Sequence, residues 1–372
     1  MTRLRLILDE LNGPSAANTY TRELARHLVL TAPSGCAVDG FISASPEPVY
    51  DDIAETMPGL ATLHKSALAR RELRAAWQHG FTRLPGSGMV HAPSPLAPLA
   101  KHDRLNDGDQ IAVTFHDTLA WTHPEALSAA TVAWYKAMAK RAQRFADAIV
   151  VPSHTVADQL GELVGFGDRV RVISPAARPR VVLPADADAR AARLNLNLRY
   201  VLAATSTGVD DPLRRLLRSL RDVDSDVQLL VVGVDAGDEA LSGAVSEAGL
   251  PAGRARGLGT LDDSDLAVAI HRAAVFAYPN LEEGFGMPLL EAMELGTPVV
   301  HSDDPALVEL SADAGLAAAR GDGFSGALAA SLTAVLGDAA LAERMRYSGL
   351  DRAHAFSWRS AAEKVWQLHA DL

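Results

Sequence analysis

Two glutamates, Glu283 and Glu291, flank the run Gly284-Phe285-Gly286-Met287-Pro288. Carboxylates accept strongly from hydroxyl groups, so the pair suits a ribose or hexose, which is a cluster of hydroxyls. Gly284 and Gly286 can adopt backbone angles that bring main-chain amides close to a ligand. Pro288 suits a first helical position and Gly296-Thr297-Pro298 a stop, which predicts a helix over Met287 to Leu295. Its start presents unpaired N–H groups and about half a positive charge, a seat for an anion or for sugar hydroxyls. Taken singly, each glutamate reads as a solvated surface charge.

Other residues fit the same chemistry. His116 and Asp117 follow the apolar run Gln110 to Phe115. Ligands of open α/β sheets collect beyond the carboxyl ends of strands, although His116 alone reads as a hydrogen-bonded structural histidine. Arg214 and Arg215, just inside a helix over Pro212 to Leu220, are the candidate phosphate ligands. Ahead of them Asp210, Asp211 and Pro212 read as a helix N-cap, whose charge opposes a phosphate. No His, Cys, Asp and Glu spacing suits a metal, so neither a metal nor a cofactor is expected.

These groups need elements to hold them. Apolar runs at Leu4–Leu8, Val38–Ile42, Gln110–Phe115, Ala148–Val151 and Val170–Ile173 alternate with helical patterns at Thr19–Leu30 and Trp134–Ala146. A second series begins at Tyr200–Ala204 and runs through Val227–Gly233, Ala274–Tyr278 and Thr297–His301, with helices over Pro212–Leu220, Glu239–Ala248 and Asp263–Ala273 between them. Such alternation predicts two doubly wound parallel sheets, an α/β fold. The first domain is expected over residues 1–178, the second over 195–354, with a Pro- and Arg-rich linker at 179–194. The tail from Leu341 reads as helical.

With 372 residues, 48% hydrophobic and 22% charged, the chain can bury two cores. Its net charge of −11 argues against nucleic acid as a partner. The single cysteine, Cys36, excludes an internal disulfide and fits a reducing cytoplasm. No stretch reaches the roughly 18 apolar residues of a spanning helix. The segment His64 to Leu84 sets Lys65, Arg70, Arg71, Arg74 and Arg83 beside Leu68, Leu73, Trp77 and Phe81. It reads either as a basic amphipathic helix on an anionic membrane or as a solvated face over a core stripe.

The string E-G-F-G-M-P-L-L-E-A-M-x-x-G-x-P-V-V resembles the donor-site signature of the retaining glycosyltransferases of family 4, and His116-Asp117 resembles that family's HD pair. The resemblance implies a GT-B fold: two facing Rossmann-like domains, with the last helix (residues 355–372) returning to the first after the kink Phe356-Ser357-Trp358. It implies a hexose, mannose or rhamnose, moved from a nucleotide-diphosphate sugar to the hydroxyl of a glycan or lipid-linked acceptor in cell-envelope or polysaccharide synthesis. Glu291 would bind the ribose and Glu283 the transferred sugar, and the amides of Gly284, Phe285, Gly286 and Met287 would stabilise the leaving diphosphate. His116 would stand near the reacting centre, and the enzyme would be cytoplasmic or peripheral on the membrane's inner face. Two loops depart from the pattern. Ser15-Ala16-Ala17-Asn18 replaces a glycine-rich turn, and Thr205 to Asp211 lacks the Arg and Lys that hold the pyrophosphate. A non-catalytic relative serving as a partner subunit is the alternative, and a nucleotide-sugar epimerase a third reading.

Overall fold

The computed structural model describes residues 2–12, 16–103, 106, 108–204 and 211–372. They divide into two compact units, Met1–Pro175 with Ser357–Leu372, and Ala176–Phe356.

The first unit is built on seven strands: β1 (Thr2–Ile7), β2 (Cys36–Ala44), β3 (Thr62–Ala69), β4 (Met89–Ala92), β5 (Gln110–Thr114), β6 (Ala148–Val151) and β7 (Val170–Val172). They lie in the order β3-β2-β1-β4-β5-β6-β7, and every pair is parallel. The second unit carries β8 (Tyr200–Ala204), β9 (Gln228–Val232), β10 (Ala255–Gly259), β11 (Val275–Tyr278), β12 (Val299–Ser302) and β13 (Gly315–Ala318) in the order β10-β9-β8-β11-β12-β13, again all parallel. Both sheets follow the doubly wound pattern whose strand order reverses once, between β1 and β4 and between β8 and β11. A crevice opens at the carboxyl ends of the strands at such a reversal.

Side-chain alternation explains why these runs read as continuously apolar. In the second sheet Tyr200, Leu202, Phe276 and Val299 enter one core, while Val201, Ala203, Val275 and Val300 enter the other. Helices Asp263–His271 and Met287–Glu294 cover the first face; Pro212–Ser219 and Phe324–Gly337 cover the second. In the first sheet Ile7, Val90, Ile111, Val113 and Ile149 pack on Trp77, Trp134 and Met138.

Two expectations need correction. The stretch expected as a linker contains a helix, Ala187–Arg193, whose Arg190 and Arg193 both bind Asp265 of helix Asp263–His271, at 2.7 and 2.5 Å. It is part of the second unit, which begins at Ala176. The basic segment His64 to Leu84 is not one helix: residues Thr62–Ala69 pair with β2, and the helix is confined to Arg70–His79, ended by Gly80 at φ 74°. Phe81, past that stop, is 80% exposed, whereas Leu73 and Trp77 are buried. As the kink at Phe356-Ser357-Trp358 implies, the helical tail is two helices, Ala339–Ala353 and Trp358–Asp371, broken around Phe356 with Ser357 capping the second.

The last helix returns to the first unit and packs on helix Ala16–Leu30. The Trp366 indole donates to the Leu28 carbonyl at 3.2 Å, and Trp358 meets Tyr20 edge-on. His369 on this helix lies 5.7 Å, ring to ring, from His91 of β4, and both are buried. His369 contacts the Gln110 side chain at 3.1 Å, while neither ring nitrogen of His91 has a partner among the described residues. Burial favours the neutral imidazole, lowering His91 well below its ordinary value and His369 to about 4. The unfolded chain therefore binds protons that the folded one refuses, and stability falls as pH drops from the unfolded value near 6.5 towards 4. Between pH 7 and pH 4 the wild type should lose roughly 3 kcal/mol more than the His369→Leu variant, measured by urea unfolding at each pH. Parallel losses in the two proteins would show that this histidine does not resist protonation.

Candidate functional site

The segment after β11 carries the glutamate pair. Pro279 and Asn280 end the strand, and helix Met287–Glu294 starts after Gly286, which sits at φ 93° with Pro288 in its first turn. A Cβ on Gly286 would stand 2.5 Å from the Leu307 side chain, so this position needs glycine for its backbone angle and for the packing behind it. Among the described residues no side chain caps the helix start. Phe285 turns its ring into the core against Phe356 and so can offer a ligand only its main chain, while Met287, partly buried, packs on the same cluster.

Glu283 lies at the start of this turn. Its Oε1 accepts from the Tyr278 hydroxyl at 2.6 Å and from Asn280 Nδ2 at 2.7 Å. Tyr278 and Asn280 are themselves buried. Burial, with the Glu283 carboxylate beside it, holds the Tyr278 phenol well above its ordinary pKa, so it remains a proton donor. The two donors fix one carboxylate oxygen and thereby the rotamer of Glu283.

Glu291 is 2% exposed, and its carboxylate is gripped by Arg178. Arg178 Nε donates to Oε1 at 2.6 Å, Nη2 to Oε2 at 2.8 Å, and the Arg178 main-chain N–H to Oε1 at 3.4 Å. Nη1 of the same arginine reaches Asp263 at 3.3 Å. Such a two-pronged pair is both strong and directional. The charge of Glu291 is felt one turn on, where burial and this neighbouring carboxylate raise the pKa of Glu294. Sequence reasoning missed Arg178, which stands in a Pro-, Arg- and Ala-rich stretch without periodicity and meets its partner across 113 positions.

Both arginines expected at the phosphate lie on helix Pro212–Ser219. Asp211, at φ 46°, caps helix Pro212–Ser219 by accepting from the Arg214 N–H at 3.1 Å. The Arg214 guanidinium pairs with Asp211 at 2.6 Å and with Glu247. The Arg215 carbonyl accepts from Ser325. Asp210, with the rest of residues 205–210, lies outside the described residues, as does Ser15; Ala16, Ala17 and Asn18 open the helix Ala16–Leu30.

A further group not foreseen is Asp304. It caps helix Pro305–Ser311 at the carboxyl end of β12, with Arg320 3.7 Å away. Burial, against the pull of the cap amides and Arg320, pushes its pKa up to about 7.

In the first unit His116 follows β5. Its Nε2 lies 2.7 Å from the Pro93 carbonyl, and its ring meets Tyr20 edge-on at 4.6 Å. A carbonyl only accepts, so Nε2 carries the hydrogen and Nδ1 keeps its lone pair. Burial lowers the pKa of His116 despite Asp117 beside it, so the ring is neutral. Asp117 accepts from the Leu119 N–H at 3.0 Å, and burial raises its pKa. His116 is thus both the hydrogen-bonded histidine of the bland reading and an acceptor at a strand's carboxyl end.

A cavity of about 1290 Å³ opens at the opposite, amino edge of the first sheet, near Arg5, Gly88, Gln110, Asp147 and Arg169. Arg5 and Arg169 donate there to main-chain carbonyls, and cations and carboxylates are mixed along its wall. Among the described residues no three His, Cys, Asp or Glu side chains gather as a metal site, and no single helix is long and apolar enough to cross a membrane.

Two doubly wound parallel sheets in one chain, the last helix returning to the first, define the GT-B architecture of glycosyltransferases. Two family models match: "Glycosyltransferase Family 4" over residues 17–179 and "Glycosyl transferases group 1" over residues 200–338. The chain belongs to glycosyltransferase family 4. It is similar to the phosphatidyl-myo-inositol mannosyltransferase of Mycobacterium leprae, 37% identical over 145 residues that cover 39% of this chain and 38% of the relative. Similarity to O-antigen chain mannosyltransferase B of Escherichia coli is 39% over 119 residues, 32% of this chain and 31% of the relative. To the D-inositol 3-phosphate glycosyltransferase of Nocardia farcinica it is 29% over 254 residues, 60% and 54%. The matches thus span only 38% and 31% of the two mannosyltransferases' own length. Among solved structures, sucrose-phosphate synthase from Thermosynechococcus elongatus superposes with a TM-score of 0.76 at 23% identity, covering 100% of this chain and 99% of that one. Anabaena HepE, solved in complex with UDP-glucose, gives 0.75 at 16%, covering 100% of both.

The Arg178–Glu291 pair is open to a direct test. Removing one partner of a buried ion pair strands the other charge, whereas replacing both is far milder. Arg178→Met should cost roughly 3 kcal/mol in urea unfolding, and the double variant Arg178→Met/Glu291→Leu clearly less. A double variant as unstable as the single one would mean that packing, not charge, sets the cost.

Proposed function

We propose that this chain is a retaining hexosyltransferase that moves a sugar from a nucleotide-diphosphate donor to a hydroxyl acceptor. The observation carrying this reading is the turn after β11. Two carboxylates, each held in one rotamer by its own donors, stand on either side of an uncapped helix start at a strand-order reversal. In this reading Glu291 receives the ribose and Glu283 the hydroxyls of the transferred sugar. Bond breaking builds positive character on the sugar and negative charge on the leaving diphosphate, and the amides from Gly284 to Met287 stabilise that charge. The leaving phosphate oxygen assists deprotonation of the acceptor from the same face. His116, neutral and with Nδ1 as an acceptor, holds a substrate hydroxyl rather than supplying positive charge.

Mannose is the favoured sugar, because two of the similar proteins are named as mannosyltransferases, and cell-envelope glycan synthesis is the favoured setting. A nucleotide-sugar donor is favoured by a structural neighbour solved with UDP-glucose. We assign no metal to the reaction, so a chelator should leave the rate unchanged.

Calorimetry with GDP- and UDP-sugars, alongside turnover by released nucleoside diphosphate, tests the assignment. Glu291→Ala should weaken donor binding at least tenfold, about 1.4 kcal/mol. His116→Ala should leave donor affinity near that of the wild type and lower turnover by about tenfold or more. Equal donor binding by the wild type and Glu291→Ala removes Glu291 from the site.

A further inference from the structure

The basic segment beyond β3 does not present its arginines uniformly. Arg70, first residue of helix Arg70–His79, donates to Glu10 at 2.7 Å, and Glu10 lies just past the carboxyl end of β1. One turn on, the Arg74 guanidinium stacks on the Trp134 ring, 3.8 Å from its centre. Arg74 is partly buried, and among the described residues its head group has neither a hydrogen bond nor an ion pair. Its N–H donors, none of them sealed from water, are open to a ligand. Tyr135 follows Trp134 in the chain and its ring meets the indole edge-on, 5.2 Å between centres, so the phenol and the Arg74 guanidinium contact the same ring. Burial, with Asp117 and Glu10 adding to it, raises the pKa of the Tyr135 phenol, so it stays a proton donor.

A stack on tryptophan gives Arg74 a structural role, but it leaves the donors to solvent. Burial works against the charge of Arg74, and the neighbouring Arg70 adds to that pressure. A cation kept partly out of water, with its fork locked by a ring and a phenol alongside, is the arrangement that binds an oxyanion two-pronged. The Arg70–Glu10 pair neutralises itself, so Arg74 supplies the local excess charge on its helix face.

We propose that Arg74, with the Tyr135 hydroxyl, forms an acceptor subsite that takes an anionic group, phosphate or carboxylate, carried by a polyhydroxylated acceptor. The proposal rests on the transferase reading for the word acceptor, but the subsite itself is testable by binding alone. Anion binding over Trp134 changes the surroundings of its indole, so tryptophan fluorescence reports it, and the same titration on Trp134→Phe assigns the signal.

The experiment titrates the full chain with glucose, glucose 6-phosphate and glucuronate, and separately with UDP and GDP. At least one of the two anionic sugars should bind ten times or more tighter than glucose. That preference should vanish in Arg74→Gln and persist in part in Arg74→Lys. It should also weaken as salt is raised. Whichever anion is preferred names the group the acceptor carries. Equal affinity for all three sugars, failure of both anions to bind the wild type, or an anion preference that survives Arg74→Gln overturns the subsite. Nucleoside diphosphate that does not bind the wild type counts against the transferase reading instead and leaves the anion comparison intact. Circular dichroism of each variant shows whether a lost signal is lost fold, and the Tyr135→Phe variant, which removes one hydroxyl, should lower the anion preference with the fold unchanged.

Discussion

A parallel sheet has no face that tolerates water, because its crossovers lay helices on both sides. Both sheets here are wholly parallel, and that constraint determines most of the chain. It demands strands apolar at every position, as in Tyr200 to Ala203 and Val275 to Tyr278, and amphipathic helices between them. It also confines polar chemistry to the two edges, where strands end and helices begin. Asp304 and His116 sit just past strand ends, bonded to a main-chain amide and a main-chain carbonyl, and Glu283 takes the hydroxyl of Tyr278, the last residue of its strand.

Within that frame the second unit solves a charge problem. A carboxylate at 2% exposure needs partners, and Glu291 obtains them from Arg178, far away in sequence but adjacent in the fold. At Glu283 the Tyr278 hydroxyl and Asn280 Nδ2 converge on one carboxylate oxygen, Oε1. A hydroxyl approaching Glu291 must share its carboxylate with the Arg178 guanidinium.

Much of this was legible in the sequence where the rules are local. The helix after Gly286, its proline in the first turn and its end near Leu295 follow from spacing alone, as does the Asp211 cap. The order of strands and the return of the last helix came with the family resemblance, not with any periodicity. What stayed hidden was long-range. Arg178 looks like any arginine in a proline-rich stretch, and the helix Ala187–Arg193 is held by Asp265, more than seventy positions downstream. The strand Thr62–Ala69 was masked by its polar and basic residues. It is an edge strand, where one side needs no partner and the apolar pattern relaxes.

The last helix has a consequence for the order of synthesis. Its Trp366 bonds to Leu28, 338 positions earlier, and the whole second unit lies between them in the chain. A ribosome adding roughly 5–20 residues per second completes the second unit before it delivers the helix that finishes the first. For tens of seconds helix Ala16–Leu30 therefore stands with the face around Tyr20 and Leu28 uncovered, an apolar surface of the kind that chaperones hold. The second unit, contiguous from Ala176 to Phe356, has no such wait and can fold as it emerges.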